Sequence, residues 1–310
     1  MDFKKRLSTP VIMENPQADR VKDIASLATR RGRHKKKQFL VEGPQAVREA
    51  LNAHLHTPLL DAVYVTERAF DRHRDIAELL EKVHGTPTPE QGRKVFMRMV
   101  TEEVLEAMSD AVTPQGMIAI AFIQEPDISR IFSAQGKIPQ LVAVLARLQD
   151  PGNAGTIIRA ADAAGADLIV STADTVDIYN PKTVRSTAGS LFHLPVVSNL
   201  ALADFIETAR RYGMGILAAD GYGALDLDEL SDIAVAKRWT IPHDENSYDL
   251  SQPTVWLLGN EAQGLSADEK ALADERVAVP VHGSAESLNV SVAAALCLYA
   301  SARAQHGTKK

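Results

Sequence analysis

Short apolar runs alternate with stretches of helical spacing along most of the chain. Phe39-Leu40-Val41 reads as a strand, and Ala46, Val47, Ala50 and Leu51 then recur at the three-to-four spacing of a helix. Ile24, Leu27 and Ala28 show the same spacing further upstream. Residues 61–66 and 94–97 read as strands, 76–83 as a helix and 116–123 as an apolar strand. Thr101 before Glu102-Glu103 has the form of a helix start, an N-cap followed by early acids. Pro126, Gly136 and Pro139 then punctuate a linker over 124–139. Beyond it, strands are predicted at 141–146, 167–171, 195–197, 215–219, 254–258 and 277–281. Helices are predicted at 153–165, after Asn180-Pro181, and at 202–212, 266–273 and 287–305. The polar stretch 236–252 reads as a loop. The pattern is α/β, with a mostly parallel sheet in the second half. The expected organisation is a tail at 1–19, a small α/β domain at 20–123, the linker at 124–139 and a larger α/β domain at 140–310.

Composition narrows the class. With 45% hydrophobic and 24% charged residues among 310, the chain has the make-up of a soluble globular protein. No apolar run approaches the ~18 residues of a membrane span, and no apolar segment follows the charged N-terminus as in a signal peptide. A cytoplasmic protein is expected. The single Cys297, within an apolar helical run, excludes an internal disulfide framework and a cysteine-built zinc site. The net charge of −6 hides an asymmetry: residues 1–40 carry eleven Lys/Arg against four acids, +7, which leaves −13 for the rest. The dense run Arg30, Arg31, Arg33, Lys35, Lys36 and Lys37 points to a polyanion, with a solvated helix end as the plainer reading.

Candidate chemistry lies in the second half. Gly213-Met214-Gly215-Ile216-Leu217-Ala218 matches a loose dinucleotide fingerprint, but a helix precedes it and a strand follows, so Gly213 is read as a helix C-cap. No phosphate-cradling Gly-Lys-Ser/Thr loop is present. Over 279–300, Ser284, Glu286, Ser287, Asn289 and Ser291 crowd a strand-to-helix junction where an N-cap needs one polar residue. In the segment after the 141–146 strand, Pro151-Gly152 turns the chain, Asn153 opens a helix, and Arg159 sits among apolar residues. An arginine there is paired, functional or snorkelling. The apolar strand 254–258 ends at Gly259-Asn260-Glu261, where a glycine lets a ligand approach the backbone.

Three motifs occur in order at strand ends: Asn153-x5-Arg159, Gly259-Asn260-Glu261-x2-Gly264, and Pro280-x6-Ser287-Leu288-Asn289-Val290-Ser291. Together they resemble the signature of the SpoU/TrmH family of S-adenosylmethionine-dependent RNA 2′-O-ribose methyltransferases. Lys182-x2-Arg185 through Gly189 looks like a further family stretch, with Thr187 at a place where members vary. The resemblance implies a C-terminal α/β trefoil-knot methyltransferase domain and a smaller N-terminal α/β RNA-binding domain of ribosomal-protein type. It implies S-adenosylmethionine as cofactor, held by Leu258, Gly259, Asn260, Gly264, Val279, Pro280 and Leu288, and no metal. Arg159, Asn153, Glu261, Ser287 and Asn289 match the family's catalytic positions. Arg159 would fix a phosphate and stabilise the developing alkoxide, because a guanidinium with a pKa above ~12 is a poor base. RNA contacts would come from Arg30, Arg31, Arg33, Lys35, Lys36 and Lys37 in the first domain and from Lys182 and Arg185 near the active site. A homodimer with neither a membrane nor a DNA partner is implied. The separate first domain favours 23S-type rRNA over tRNA as substrate. A non-catalytic RNA-binding or ribosome-assembly protein on the same fold is the contrasting reading. Methylation of a base carbon through a cysteine adduct conflicts with the placement of Cys297.

Overall fold

The structure is a computed structural model that describes residues 3–8, 12–86, 94–133 and 138–307. Two compact units emerge: Met1–Gln124 with Asp177–His193, and Glu125–Val176 with Leu194–Lys310.

The first unit contains α1 (Phe3–Leu7), α2 (Asp19–Ala25), α3 (Arg30–Lys36), β1 (Gln38–Glu42), α4 (Pro44–His54), β2 (Leu60–Thr66), α5 (Glu67–Arg72), α6 (Arg74–Gly85), β3 (Phe96–Val100), α7 (Glu102–Met108) and β4 (Met117–Phe122). Its sheet runs β1-β4-β2-β3, with β4 antiparallel to both neighbours and β2 parallel to β3. Ile24, Leu27, Leu40, Tyr64, Leu105 and Ile118 join one core cluster. Thr101 caps α7 by accepting from the Val104 N–H, as its position before two acids predicts. Within the expected tail, α1 packs into the first unit. Phe3 is buried on α1, its ring 6.5 Å from Phe70 and 5.4 Å from His84.

The second unit begins with α8 (Ile128–Ser133), inside the expected linker. Phe132 is 2% exposed and meets Phe205 edge-on at 6.4 Å. Burying that ring contributes about 2–3 kcal/mol, so this part of the linker belongs to the core. Residues 134–137, including Gly136, lie outside the described residues, as do Met1 and Asp2 of the tail. The chain continues through β5 (Leu141–Leu145), α9 (Pro151–Ala163) and β6 (Leu168–Thr172). It then enters α10 (Pro181–Ser186), which clusters with the first unit. The second unit resumes with β7 (Val196–Leu200), α11 (Leu202–Arg211), β8 (Gly215–Ala219), β9 (Leu225–Asp226), α12 (Leu227–Trp239), β10 (Thr254–Leu258), α13 (Ala267–Ala271), β11 (Glu275–Ala278) and α14 (Val290–His306). Helix α12 enters the expected 236–252 loop as far as Trp239, because Leu227, Leu230 and Ala234 share a buried face.

The sheet order is β7-β6-β5-β10-β8-β11-β9, and the paired strands are parallel. The central strands β5 and β10, Leu-Val-Ala-Val-Leu and Thr-Val-Trp-Leu-Leu, are buried throughout, as sheets covered on both faces require. Wholly buried Trp256 donates from Nε1 to Ser301 Oγ of α14 at 2.9 Å, which satisfies the indole N–H. Gly213 has φ +76° and follows α11, the C-cap conformation read from the sequence. Among the described residues no helix is long and apolar enough to cross a membrane.

Candidate active site

Because β5, β10, β8 and β11 are parallel neighbours, the segments after them emerge at one carboxyl edge of the sheet. Those segments carry the three sequence motifs. Crevices outside the carboxyl ends of parallel strands are where α/β sheets bind ligands.

After β5, Asp150 rather than Asn153 caps α9, accepting from the Asn153 N–H at 2.8 Å. The cap frees the Asn153 side chain. Its Nδ2 donates to Glu261 Oε1 at 3.3 Å, and its Oδ1 accepts from Asn289 Nδ2 at 3.1 Å. Glu261 also accepts the backbone N–H groups of Gln149 at 3.1 Å and Asp150 at 3.0 Å. Asn289 in turn caps α14, its Oδ1 accepting from the Ser291 N–H at 2.8 Å. One residue from each motif therefore joins a single hydrogen-bonded chain, Glu261–Asn153–Asn289. Burial pushes the Glu261 carboxyl up, but the Asp150 and Gln149 N–H groups and the Asn153 amide outweigh it and hold the group below the ordinary glutamate range. Glu261 is thus an ionised acceptor at neutral pH, suited to fixing Asn153 and unsuited to donating a proton.

The loop after β10 is held from within. Asn260 Nδ2 donates to the Arg147 carbonyl at 2.9 Å, while its Oδ1 accepts from the Ala262 and Gln263 N–H groups at 3.0 Å. A Cβ on Gly259 would lie 2.4 Å from the Leu265 nitrogen and 2.5 Å from the Gly264 carbonyl carbon. The Cβ side of this glycine is filled by the protein's own turn, which excludes a side chain there. Gly264 closes the turn at φ +64°. Sequence reasoning missed Arg147, which pairs with Glu269 through two 2.8 Å bonds and donates to the Gly264 carbonyl at 3.1 Å. Its signal was a charge directly after an all-apolar strand. Asp220, after β8 at the same edge, was also missed; its side chain is 6% exposed and pairs with Lys270 at 3.0 Å and Arg276 at 3.3 Å.

The segment after β11 differs from an over-capped helix end. Only Asn289 caps α14; Ser284, Glu286 and Ser287 are exposed and make no hydrogen bond among the described residues. No described backbone bond ties 280–288 to another element. Val279, Pro280, Leu288 and Asn260 are half-buried, and Leu258 is wholly buried. Unspent backbone polar groups beside half-buried apolar side chains suit a nucleoside-containing ligand. Arg159 is exposed on α9 and makes no hydrogen bond or ion pair among the described residues. It is neither an internal ion-pair partner nor buried. The Cys297 thiol is wholly buried and pushed up to about 12, so it is no nucleophile.

Residues 140–299 match the SpoU rRNA methylase family, and residues 18–119 match the MRM3-like substrate binding domain. The chain belongs to the SpoU rRNA methylase family. It is 30% identical over 287 residues to the 23S rRNA (guanosine(2553)-2′-O)-methyltransferase RlmP of Bacillus subtilis, covering 93% of this chain and 97% of that protein. It is 31% identical to the 23S rRNA (uridine(2479)-2′-O)-methyltransferase of Streptomyces viridochromogenes, covering 90% and 87%. The crystal structure of the SpoU methyltransferase AviRb from Streptomyces viridochromogenes in complex with AdoMet superposes with a TM-score of 0.72 at 27% identity, covering 94% of this chain and all of that one. By this membership the protein is an S-adenosylmethionine-dependent RNA ribose methyltransferase.

The basic residues of this family member divide into two groups. Thr29 caps α3 by accepting from the Gly32 N–H at 3.1 Å, so the basic run is helical. Arg30, Arg31, Lys35 and Lys37 are exposed on or after it. Lys36 pairs with Asp23 at 2.9 Å. Arg33 departs from the expected phosphate contact: it is 2% exposed and bonded to Asp177 Oδ2 at 2.6 Å and to the Leu27 and Ala28 carbonyls at 2.9 and 2.8 Å. Arg185 departs too. It pairs with buried Glu42 and, at 3.0 Å, with Asp110, so its charge is spent inside the first unit. Lys182 is exposed on α10.

Proposed function

We propose that the protein methylates a ribose 2′-hydroxyl in 23S-type rRNA, in the cytoplasm. The observation that carries this reading is the Glu261–Asn153–Asn289 chain, which ties the three motifs together at the carboxyl edge, with Arg159 about two turns along α9 from Asn153 and without a side-chain partner among the described residues. S-adenosylmethionine, when bound, supplies an electrophilic sulfonium methyl group. Leu258, Gly259, Asn260, Gly264, Val279, Pro280 and Leu288 would hold it, through backbone polar groups and half-buried apolar side chains. Arg159 would bind the target phosphodiester and stabilise negative charge developing on the ribose oxygen. Ser287 and Asn289 would orient the ribose, and Glu261 positions Asn153. Much of the acceleration then comes from alignment of the hydroxyl. Arg30, Arg31, Lys35, Lys36, Lys37 and Lys182 would contact RNA phosphates.

The reading extends to the knot and the dimer. Strand β10 lies between β5 and β8, and the segment after β11 returns to α9 where Asn289 meets Asn153, which supports threading of the 279–289 segment. Val292, Leu296 and Tyr299 recur at helical spacing on α14 and are 48%, 45% and 52% exposed. Tyr299 bonds the Ala163 carbonyl of α9 at 3.3 Å, one turn from Arg159. A second copy of the chain seated on this stripe would bring its own residues to Arg159. Sedimentation of the wild type as a dimer, and of Leu296→Asp as a monomer, tests this.

The deciding experiment incubates the protein with labelled cofactor and unmodified rRNA or tRNA, and maps the alkali-resistant linkage. Transfer to rRNA is expected, with Arg159→Ala retaining cofactor binding and losing transfer. Transfer to tRNA alone overturns the rRNA assignment, and transfer to neither favours a non-catalytic RNA-binding protein.

A further inference from the structure

The first unit has a cleft that the sequence did not announce, apart from the basic helix α3. It has a volume of about 430 Å³, and its walls include Pro44, Arg68, Arg72, His73, Glu102 and Gln115. Arg68 and Arg72 stand four residues apart on α5, on one face of the helix. Like charges at that spacing repel, and both side chains are exposed with no hydrogen bond or ion pair among the described residues. The acids of the same helix form no ion pair with them among the described residues. Glu67 and Asp71 are both taken by Lys4, at 3.0 and 2.8 Å. Among the described residues Glu102 is the one acid of the cleft wall, against two arginines and a histidine.

The floor of the cleft is built rather than loose. Gly116 has φ +83°, and a Cβ there would lie 2.5 Å from Ala69 Cβ, so the turn carrying Gln115 is pressed against α5. The Thr66 N–H donates to the Gly116 carbonyl at 2.9 Å and fixes that approach. Other arginines of this unit contrast with the pair: Arg33, Arg48 and Arg185 are each committed to a carboxylate.

We infer that this cleft binds an RNA phosphodiester, with Arg68 and Arg72 as its cations, as a second RNA contact separate from α3. Two adjacent guanidiniums without side-chain partners among the described residues match the paired oxygens of a phosphate and its neighbour along a strand. The volume accommodates a nucleotide unit. The inference rests on the RNA-methylating reading of the second unit and adds where the first unit holds the substrate.

The test titrates full-length Arg68→Ala/Arg72→Ala protein and wild type with an unmodified 23S rRNA transcript over a range of salt. Both side chains are exposed and unbonded, so the variant should melt with the wild type and bind S-adenosylmethionine unchanged. RNA affinity should fall about tenfold or more at 0.1 M salt. The slope of log affinity against log salt should flatten by about 1.4 to 1.8, the share of two phosphate contacts. Charge reversal, Arg68→Glu/Arg72→Glu, should deepen the loss. Equal affinity and equal slope in variant and wild type, with the wild type still methylating the transcript, overturn the cleft assignment alone. Absence of binding and methylation by the wild type overturns the RNA reading itself.

Discussion

Glu261→Gln tests whether the motif-linking chain organises the site. In the structure Oε2 accepts the Gln149 N–H, and Oε1 accepts the Asp150 N–H and the Asn153 amide. A glutamine has one oxygen. Placed to keep the Asp150 and Asn153 bonds, it turns its amide NH2 against the Gln149 N–H, so one bond is lost and charge assistance disappears from the others. A hydrogen bond to a charged group is worth about 1.5–3 kcal/mol, and the partly exposed setting brings the net loss to about 1–2 kcal/mol. For a unit of this size that lowers the melting temperature by about 2–8 °C. The pH dependence follows from the depressed carboxyl. The folded pKa lies below the ordinary value of 4.5, so the stabilisation is present above that value and is lost as pH falls through the folded pKa. The gap between wild type and variant should therefore be widest near neutrality and close in acid. Held by a neutral amide oxygen instead of a carboxylate, Asn153 is fixed less firmly, and methyl transfer should slow by up to about a hundredfold. Thermal melts across pH, with initial methylation rates, read both effects. Melting within about 1 °C of wild type at neutral pH, or a gap independent of pH, would refute the reasoning.

Three other substitutions probe the scaffold. Ser301→Ala strands the buried Trp256 N–H and should destabilise by about 1–3 kcal/mol in urea unfolding, without abolishing methylation. Arg185→Ala leaves Glu42 buried, though still bonded to Ser109 and the Asp110 and Ala111 N–H groups. A cost of about 2–3 kcal/mol is expected, read by denaturation, with Arg185→Lys recovering part of it. Gly259→Ala drives a methyl group into the Gly264–Leu265 backbone, so cofactor binding measured by calorimetry should weaken at least about tenfold.

The elements that the sequence made legible are those where a local pattern and a tertiary role agree. Strand β10 lies at the residues its apolar run predicts, because a central parallel strand is buried on both faces. Asn180 and Thr101 cap helices as their side chains dictate. Elsewhere a local pattern was outweighed. The proline-punctuated linker conceals α8 because Phe132, a single aromatic, finds a core that no periodicity announces. The basic run read as one polyanion patch loses Arg33, since Asp177, 144 positions away in sequence, lies beside its guanidinium.

The sequence by itself determined the α/β alternation and the family motifs, because turn, cap and strand preferences are local. Only tertiary structure decided what each polar group faces. It made Asn153 the link between Glu261 and Asn289, gave the gap beside Gly259 to the chain's own turn, and spent Arg33 and Arg185 on internal carboxylates. Among the described residues it left the side chains of Arg159, Arg68 and Arg72 without partners. The physical reason is that a charge is committed or available according to which opposite charge the fold brings within hydrogen-bond reach, and that pairing depends on contacts far apart in the chain.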